Sequence, residues 1–304
     1  MILINRRGFI RKGIQLAGIP FVYPFFRPEM TAIAAKNLKL SLNAYSFNAA
    51  LRSGSLSLEQ LFDYCAGEGF AAVDLTAYYI PDYPEVPADQ VLFGIRKMAH
   101  HRGLHISGTG VRNDFTLTDR TLRMREIDLV KRWVVAAAKL GAPVLRVFAG
   151  PSLKDGERWE EKAELVIASC RECARYAAEH GVIVALQNHN EFVQTAEQVD
   201  YIMEGVGEEW FGLVLDIGSY SQHDPYSEIS KNIQYAVNWQ IKENVNHFGS
   251  QRAVDLERLM AIIRKSDYQG YLPIETLGPG DPFEKVSKFL GNVKSALRGA
   301  GLAG

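Results

Sequence analysis

Several short apolar runs in this chain stop at side chains that move protons or grip oxygen. Val144-Leu145 leads into Arg146, Val184-Ala185-Leu186 into Gln187-Asn188-His189-Asn190, and Leu213-Val214-Leu215 into Asp216. Asn238-Trp239 leads into Gln240 with Lys242 and Glu243, and Leu272-Pro273-Ile274 into Glu275. Carboxylates and imidazoles exchange protons, whereas Arg and Lys stabilise negative charge developing on a carbonyl oxygen. Such a set suits a small polyhydroxylated ligand. Each member also has a plainer reading. Asp216 could cap a helix, Lys242-Glu243 could be solvated charge, and Arg146 could pair with an acidic neighbour. Gln187 and Gln240 could be packed amides whose hydrogen bonds are satisfied within the protein.

These residues need elements to bring them together. Apolar, β-branched runs alternate with amphipathic stretches of about ten to twenty residues, the pattern of repeated βαβ units. Candidate strands are Lys39–Ser46, Ala71–Thr76, Leu104–Thr109, Pro143–Phe148, Val182–Asn188, Gly212–Asp216, Ala236–Ile241 and Gly270–Glu275. Helical spacing marks Ser57–Glu68, Arg120–Leu140, Glu157–His180 and Val254–Lys265, among others. Gly69, Gly103, Gly141, Gly181 and Gly270 stand where a helix should stop. Ser57 with Gln60, and Thr195 with Gln198, have the spacing of capping boxes. No Gly-rich phosphate fingerprint follows the first strand and no long linker divides the chain, so a single (β/α)8 barrel is expected. In that architecture chemistry sits at the carboxyl ends of the strands, where the polar residues above fall. The connection Ala77–Ala88, rich in Pro and Tyr, is expected to cap the barrel mouth.

The first 34 residues read differently. Arg6-Arg7 precede an apolar stretch from Gly13 to Phe26, and Ala32-Ile33-Ala34 supplies small residues for cleavage, as in a twin-arginine export signal. Residues 35–304 would then form the barrel, delivered folded to the periplasm. Removing the segment takes away five of 34 basic and one of 35 acidic residues, leaving a net charge of −5. That balance excludes an electrostatic footprint for nucleic acid, and nothing past the signal calls for a membrane. Self-association is compatible with the composition. Cys65, Cys170 and Cys173 are expected to be buried and apolar, since no further Cys or His ligands lie near the Cys-x-x-Cys pair. Tyr45, Phe47, Tyr78, Tyr79, Phe148 and Trp239 could line a sugar pocket, and core packing accounts for them equally well. His100, His101, His180 and His223 fall on helices or loops and read as structural.

The sequences Leu186-Gln187-Asn188-His189, Leu215-Asp216, Gln240-Ile241-Lys242-Glu243 and Ile274-Glu275 resemble, in order and spacing, the xylose isomerase-like TIM-barrel superfamily of sugar phosphate isomerases and epimerases. In that family strand five carries a Glu before Asn-His, strand six an Asp, strand seven a His within His-x-Lys-Asp, and strand eight a Glu. Those four hold one divalent metal, and the two glutamates act as acid and base on a ketose or keto-sugar. Asp216 and Glu275 match the pattern. Gln187 replaces the first Glu, Gln240 the His, Glu243 the motif's Asp, and Ser219 a substrate-contacting His three residues after the strand-six Asp.

The resemblance therefore implies a metal site of Gln187, Asp216, Gln240 and Glu275 that would hold Mn, Mg or Ca weakly through oxygen, because an amide contributes no charge. It implies Glu275 as base, with His189, Glu243 and Lys242 as substitutes, since Gln187 cannot accept a proton from carbon. Arg146, Asn188, Lys242, Ser219 and Tyr45 would hold the substrate, an unphosphorylated sugar, keto-sugar or glycoside. The other reading is a carbohydrate-binding pseudoenzyme that kept the pocket. A trinuclear zinc phosphodiesterase on the same scaffold would need more histidines than these strand ends offer.

Overall fold

Every apolar run identified above becomes a strand, and the strands close on themselves. In the computed structural model, which describes residues 36–189 and 191–302, they are β1 (Leu38–Asn43), β2 (Ala72–Thr76), β3 (His105–Gly110), β4 (Val144–Val147), β5 (Ile183–Gln187), β6 (Phe211–Asp216), β7 (Ala236–Lys242) and β10 (Gly270–Glu275). All pair in parallel in the ring order β1-β10-β7-β6-β5-β4-β3-β2. The closed ring leaves no barrel edge to protect. The expected export signal lies outside the described residues, as does Asn190.

Around the ring run α2 (Leu58–Gly67), α3 (Asp89–His101), α4 (Arg120–Leu140), α5 (Trp159–Ala178), α6 (Ala196–Val206), α7 (Pro225–Asn232), α8 (Leu256–Lys265) and α9 (Pro282–Gly299), with a short α1 (Asn48–Ser53) after the first strand. Outward strand residues such as Leu75, Leu145, Leu186, Leu215 and Ile274 are fully buried against this layer. Gly69, Gly103, Gly141 and Gly181 take the left-handed conformation expected of helix stops. Gly270 does not serve as one. Helix α8 ends at Lys265 with Ser266 as its cap, and Gly270 is already the first residue of β10. Ser57 and Gln60 form the reciprocal capping box. Thr195 Oγ1 accepts from the Gln198 amide, but the Gln198 side chain accepts from Gln194 N one residue earlier.

Inside the barrel, Val144, Ala185, Val214 and Val237 form a small apolar plug toward the amino ends of the strands. A register shift between Leu213 and Val214 puts one extra residue in β7. Val237 thereby joins the plug while Asn238 reaches across the barrel to Asp74 Oδ2 at 2.8 Å. Gln240 and Lys242 continue up the same face. The 77–88 connection is pinned over the barrel, with Tyr83 packed between Tyr78 and Trp133 and the Trp133 indole N–H donating to Pro84 O at 2.9 Å. One element was not read from sequence: an antiparallel hairpin, β8 (Asn244–His247) and β9 (Ser250–Ala253), turning at Phe248 and Gly249 with positive φ at both. Gly249 N donates to Ser221 O at 3.1 Å, which ties the hairpin to the loop after β6.

Candidate active site

Parallel register decides which side chains meet. Asp216 on β6 pairs with Gln240 on β7, and Lys242 pairs with Glu275 on β10, so the four lie side by side at the carboxyl end of the barrel. Gln187 ends β5 next to them. Its Nε2 donates to Asp216 Oδ2 at 2.7 Å and to Gln240 Oε1 at 2.8 Å, while its own Oε1 is buried without a partner among the described residues. Lys242 Nζ donates to Asp216 Oδ2 at 2.6 Å and stands 3.4 Å from Glu275 Oε2. Asp216 Oδ1 accepts from Gly218 N at 2.9 Å, and Ser219 turns its side chain onto the same carboxylate.

Asn188 has a different task. Its amide gives to Asp216 O at 2.9 Å and takes from Asp216 N at 2.8 Å, bracing the end of β6 from β5 with a side chain that is fully buried. It is spent on the backbone and is not free to hold a ligand.

The charges respond to this packing. Burial works to raise Asp216, but the hydrogen-bonded Lys242 ammonium outweighs it and holds the carboxyl below its ordinary value. Burial opposes the charge on Lys242 as well, and Asp216 and Glu275 more than offset it, so the ammonium persists far up the pH scale. Glu275 goes the other way. Burial raises its pKa, Lys242 pulls it back, and the neighbouring Asp216 charge adds to the rise. A strong acid and a weak acid thus share one ammonium. His189 sits at the rim, edge-on to Phe148 with ring centroids 5.0 Å apart. Burial lowers its pKa, with Asp216 opposing. Its Nδ1 approaches Glu191 Oε2 at 3.4 Å without hydrogen-bond geometry and is otherwise buried without a partner among the described residues.

Arg146 forms the opposite wall. Its guanidinium lies 4.1 Å from the centre of the Phe148 ring and donates to Val111 O at 2.8 Å and Tyr78 Oη at 3.2 Å. A glycine beneath it leaves the room it needs: a Cβ at Gly110 would stand 2.7 Å from Arg146 Nε and force the guanidinium to shift. No carboxylate pairs with Arg146 among the described residues. Below it, buried Asp74 accepts from the Asn238 amide alone among the described residues, and burial raises its pKa to about 6 against the pull of Arg146.

Of the residues singled out from sequence, Gln187, Asp216, Gln240, Lys242 and Glu275 converge, with Asn188 and Ser219 braced on Asp216 and His189 and Arg146 beside them. Glu243 does not join them. Adjacent strand residues face opposite ways, so Lys242 turning inward sends Glu243 outward to Lys285 Nζ at 3.1 Å and Leu277 N at 3.3 Å. Tyr45 is half exposed on the turn after β1, and its phenol lies close enough to Tyr79 to raise that group's pKa, behind the larger effect of burial. Among the aromatics, Tyr78, Tyr79 and Phe148 face the mouth. Phe47 and Trp239 are core residues, packed on Tyr64 and Phe283 and on Tyr268. Asp74 was missed, although a lone acid within Ala72-Val-Asp-Leu-Thr76 had to face the barrel interior.

The donors do not fit a divalent ion as arranged here. A metal needs lone pairs converging, yet the space between Asp216 and Glu275 receives the hydrogens of the Gln187 amide and the Lys242 ammonium. Elsewhere among the described residues, Glu197, His223 and Glu228 bring ligand atoms within 4.8 Å of one another on the outer face of the barrel. Lys231 occupies that group too, at 2.8 Å from Glu197 and 3.3 Å from Glu228.

An eight-stranded parallel barrel with a polar cluster at its carboxyl mouth defines the class of small-ligand TIM-barrel proteins. Within that class the chain belongs to the xylose isomerase-like TIM barrel family, whose model matches residues 62–293. Among curated proteins, none matches this sequence. Solved structures share the fold at low identity. The 3-keto-D-glucoside 4-epimerase from E. coli is 14% identical over 85% of this chain and 100% of its own, with a TM-score of 0.67. A D-psicose 3-epimerase is 15% identical over 88% and 100%, with a TM-score of 0.69. The probable 3-DHS dehydratase from Bacillus anthracis is 15% identical over 86% and 98%, with a TM-score of 0.64.

Proposed function

We propose that the chain is a sugar isomerase/epimerase-like enzyme that abstracts a proton next to a carbonyl in an unphosphorylated sugar, keto-sugar or glycoside. The observation that carries this reading is Glu275, a buried carboxylate held above its ordinary pKa 3.4 Å from a lysine ammonium. Glu275 takes the proton from the carbon beside the carbonyl. The C–H electrons form the C=C bond of an enediolate, and the negative charge moves to the former carbonyl oxygen. Lys242, through a remaining N–H, or Arg146 on the facing wall stabilises that oxygen. Returning the proton from Glu275 to the neighbouring carbon gives isomerisation. A proton delivered to the opposite face by a second acid, the role His189 at the rim would fill, gives epimerisation, and departure of a β-oxygen carrying a proton from that acid gives elimination. The epimerases and the dehydratase among the fold's relatives support this range of outcomes.

Phosphate does not enter the proposal because the N-terminal segment reads as an export signal and sugar phosphates are chiefly cytoplasmic. We accordingly place the mature protein in the periplasm. A panel of ketoses and 3-keto-glycosides incubated with the protein in deuterated water tests the chemistry. Wild type should introduce deuterium beside the carbonyl and Glu275→Gln should not. Absence of exchange by wild type with every sugar it binds would favour the second reading, a carbohydrate-binding protein. That reading draws on Gln187, whose amide cannot take a proton and whose Oε1 meets no donor among the described residues.

A further inference from the structure

We infer that the resident cation of this site is the Lys242 ammonium, which holds the position between Asp216 and Glu275 that a divalent metal would otherwise need. This goes beyond the proposed function and does not depend on which sugar is used.

Three observations carry it. The ammonium touches both carboxylates at once, at 2.6 Å from Asp216 and 3.4 Å from Glu275, and its side chain is 16% exposed. A third N–H is thus left for a ligand oxygen at the mouth. Next, the other donors have been spent in keeping with a monovalent occupant. Asp216 takes hydrogens from Lys242, Gln187 and Gly218, and Gln240 Oε1 takes the second hydrogen of Gln187. With Gln187 in place of a Glu and Gln240 in place of a neutral His, two carboxylates remain; the ammonium leaves the group at −1, and a divalent ion added beside it would leave +1 with two cations forced into contact. Finally, the path of the lysine is built. A Cβ at Gly218 would lie 2.8 Å from Lys242 Cδ and 3.2 Å from Asn244 O, so a side chain there would drive the lysine stem out of its channel. The lysine is one the His-x-Lys-Asp motif also carries, and it is the two amides that let its ammonium settle between Asp216 and Glu275, so in this chain Lys242 and a metal are alternative occupants of one position.

Free Mn2+ can be followed by electron paramagnetic resonance during titration of the mature protein. Wild type should show no saturable site up to about 1 mM that Asp216→Asn abolishes. Binding that survives Asp216→Asn arises elsewhere, for instance at Glu197, His223 and Glu228, and counts as absence here. Lys242→Met should gain one Mn2+ site, at least about tenfold tighter than any in wild type and lost when Asp216→Asn is added. A wild-type site lost in Asp216→Asn overturns the inference, as does a Lys242→Met protein, folded by circular dichroism, without that gain. Should Lys242→Met not fold, 15N-lysine labelling of wild type decides. A slowly exchanging ammonium resonance that survives EDTA and is not broadened by Mn2+ supports the inference. Its absence, or its loss on adding Mn2+, overturns it. Sugar turnover enters none of these measurements, so they stand or fall separately from the proposed reaction.

Discussion

Replacing Asp74 with Asn should change how stability depends on pH, by an amount the structure sets. Asp74 is 9% exposed, hydrogen-bonded to Asn238 and without an ion-pair partner among the described residues. Burial lifts its pKa from 3.8 to about 6. The folded state therefore binds this proton more tightly than the unfolded chain. Its contribution is fully present below about pH 4 and is lost as pH rises through about 6. Two pKa units correspond to about 3 kcal/mol, and one unit either way moves the figure by about 1.4 kcal/mol. Asn keeps an oxygen for Asn238 to donate to and cannot ionise. Urea unfolding of wild type and Asp74→Asn at intervals from about pH 4 to about pH 7.5 should show the variant gaining on wild type by roughly 3 kcal/mol across the range. Subtracting the two curves cancels every group they share. A difference that stays constant within about 1 kcal/mol would mean that Asp74 is not a buried, unpaired carboxylate, and the interior layering described here would be wrong at that level.

Glu275→Gln should lower proton exchange by about 100-fold or more while calorimetry shows sugar binding retained, because an amide cannot act as base. In wild type the exchange rate should fall as pH drops through a value above the ordinary glutamate pKa of 4.5, since burial raises Glu275 and only its ionised form takes a proton. A profile whose acid limb lies below that value would contradict the assignment. Asn188→Ala strands Asp216 N in a buried position and leaves Asp216 O with only its longer bond from Ser219 N, at 3.3 Å, and should cost about 1–3 kcal/mol in chemical denaturation. Gly110→Ala should displace the Arg146 guanidinium from the Phe148 face and raise KM while the protein still unfolds cooperatively; an unchanged KM would remove Arg146 from substrate binding.

The barrel was legible because its strands are buried on both faces and read as apolar runs. Seven of the eight expected runs needed only end adjustments and Gly270–Glu275 needed none. The ends of those runs gave the site for the same reason: a polar residue closing an apolar strand has only the mouth to face. Strand parity was available too. It should have excluded Glu243 once Lys242 was taken inward, and it should have pointed Asp74 into the barrel. What could not be read was where long side chains settle. Whether Lys242 reaches up to solvent or down between two carboxylates depends on rotamers and on the room Gly218 leaves. Whether Gln187 offers oxygen or hydrogen depends on two neighbours from other strands. The β8–β9 hairpin escaped because its strands are four residues each and largely polar, with Val245 the one buried side chain of the pair, too little to show a period.

The cysteines extend the reach of this structure to motions. Cys65 on α2 and Cys170 and Cys173 on α5 are fully exposed to neither water nor reagent, and burial raises all three thiol pKa values. A protonated, sealed thiol does not react with an alkylating agent, so each can be trapped only while its own helix stands open. Helices α2 and α5 lie three places apart around the ring. The ratio of alkylation at Cys65 to that at the α5 pair, read by peptide mass spectrometry, therefore tells whether a closed ring parts at one seam or lets go everywhere together. The native chain carries its own pair of clocks for that question, with no label to install.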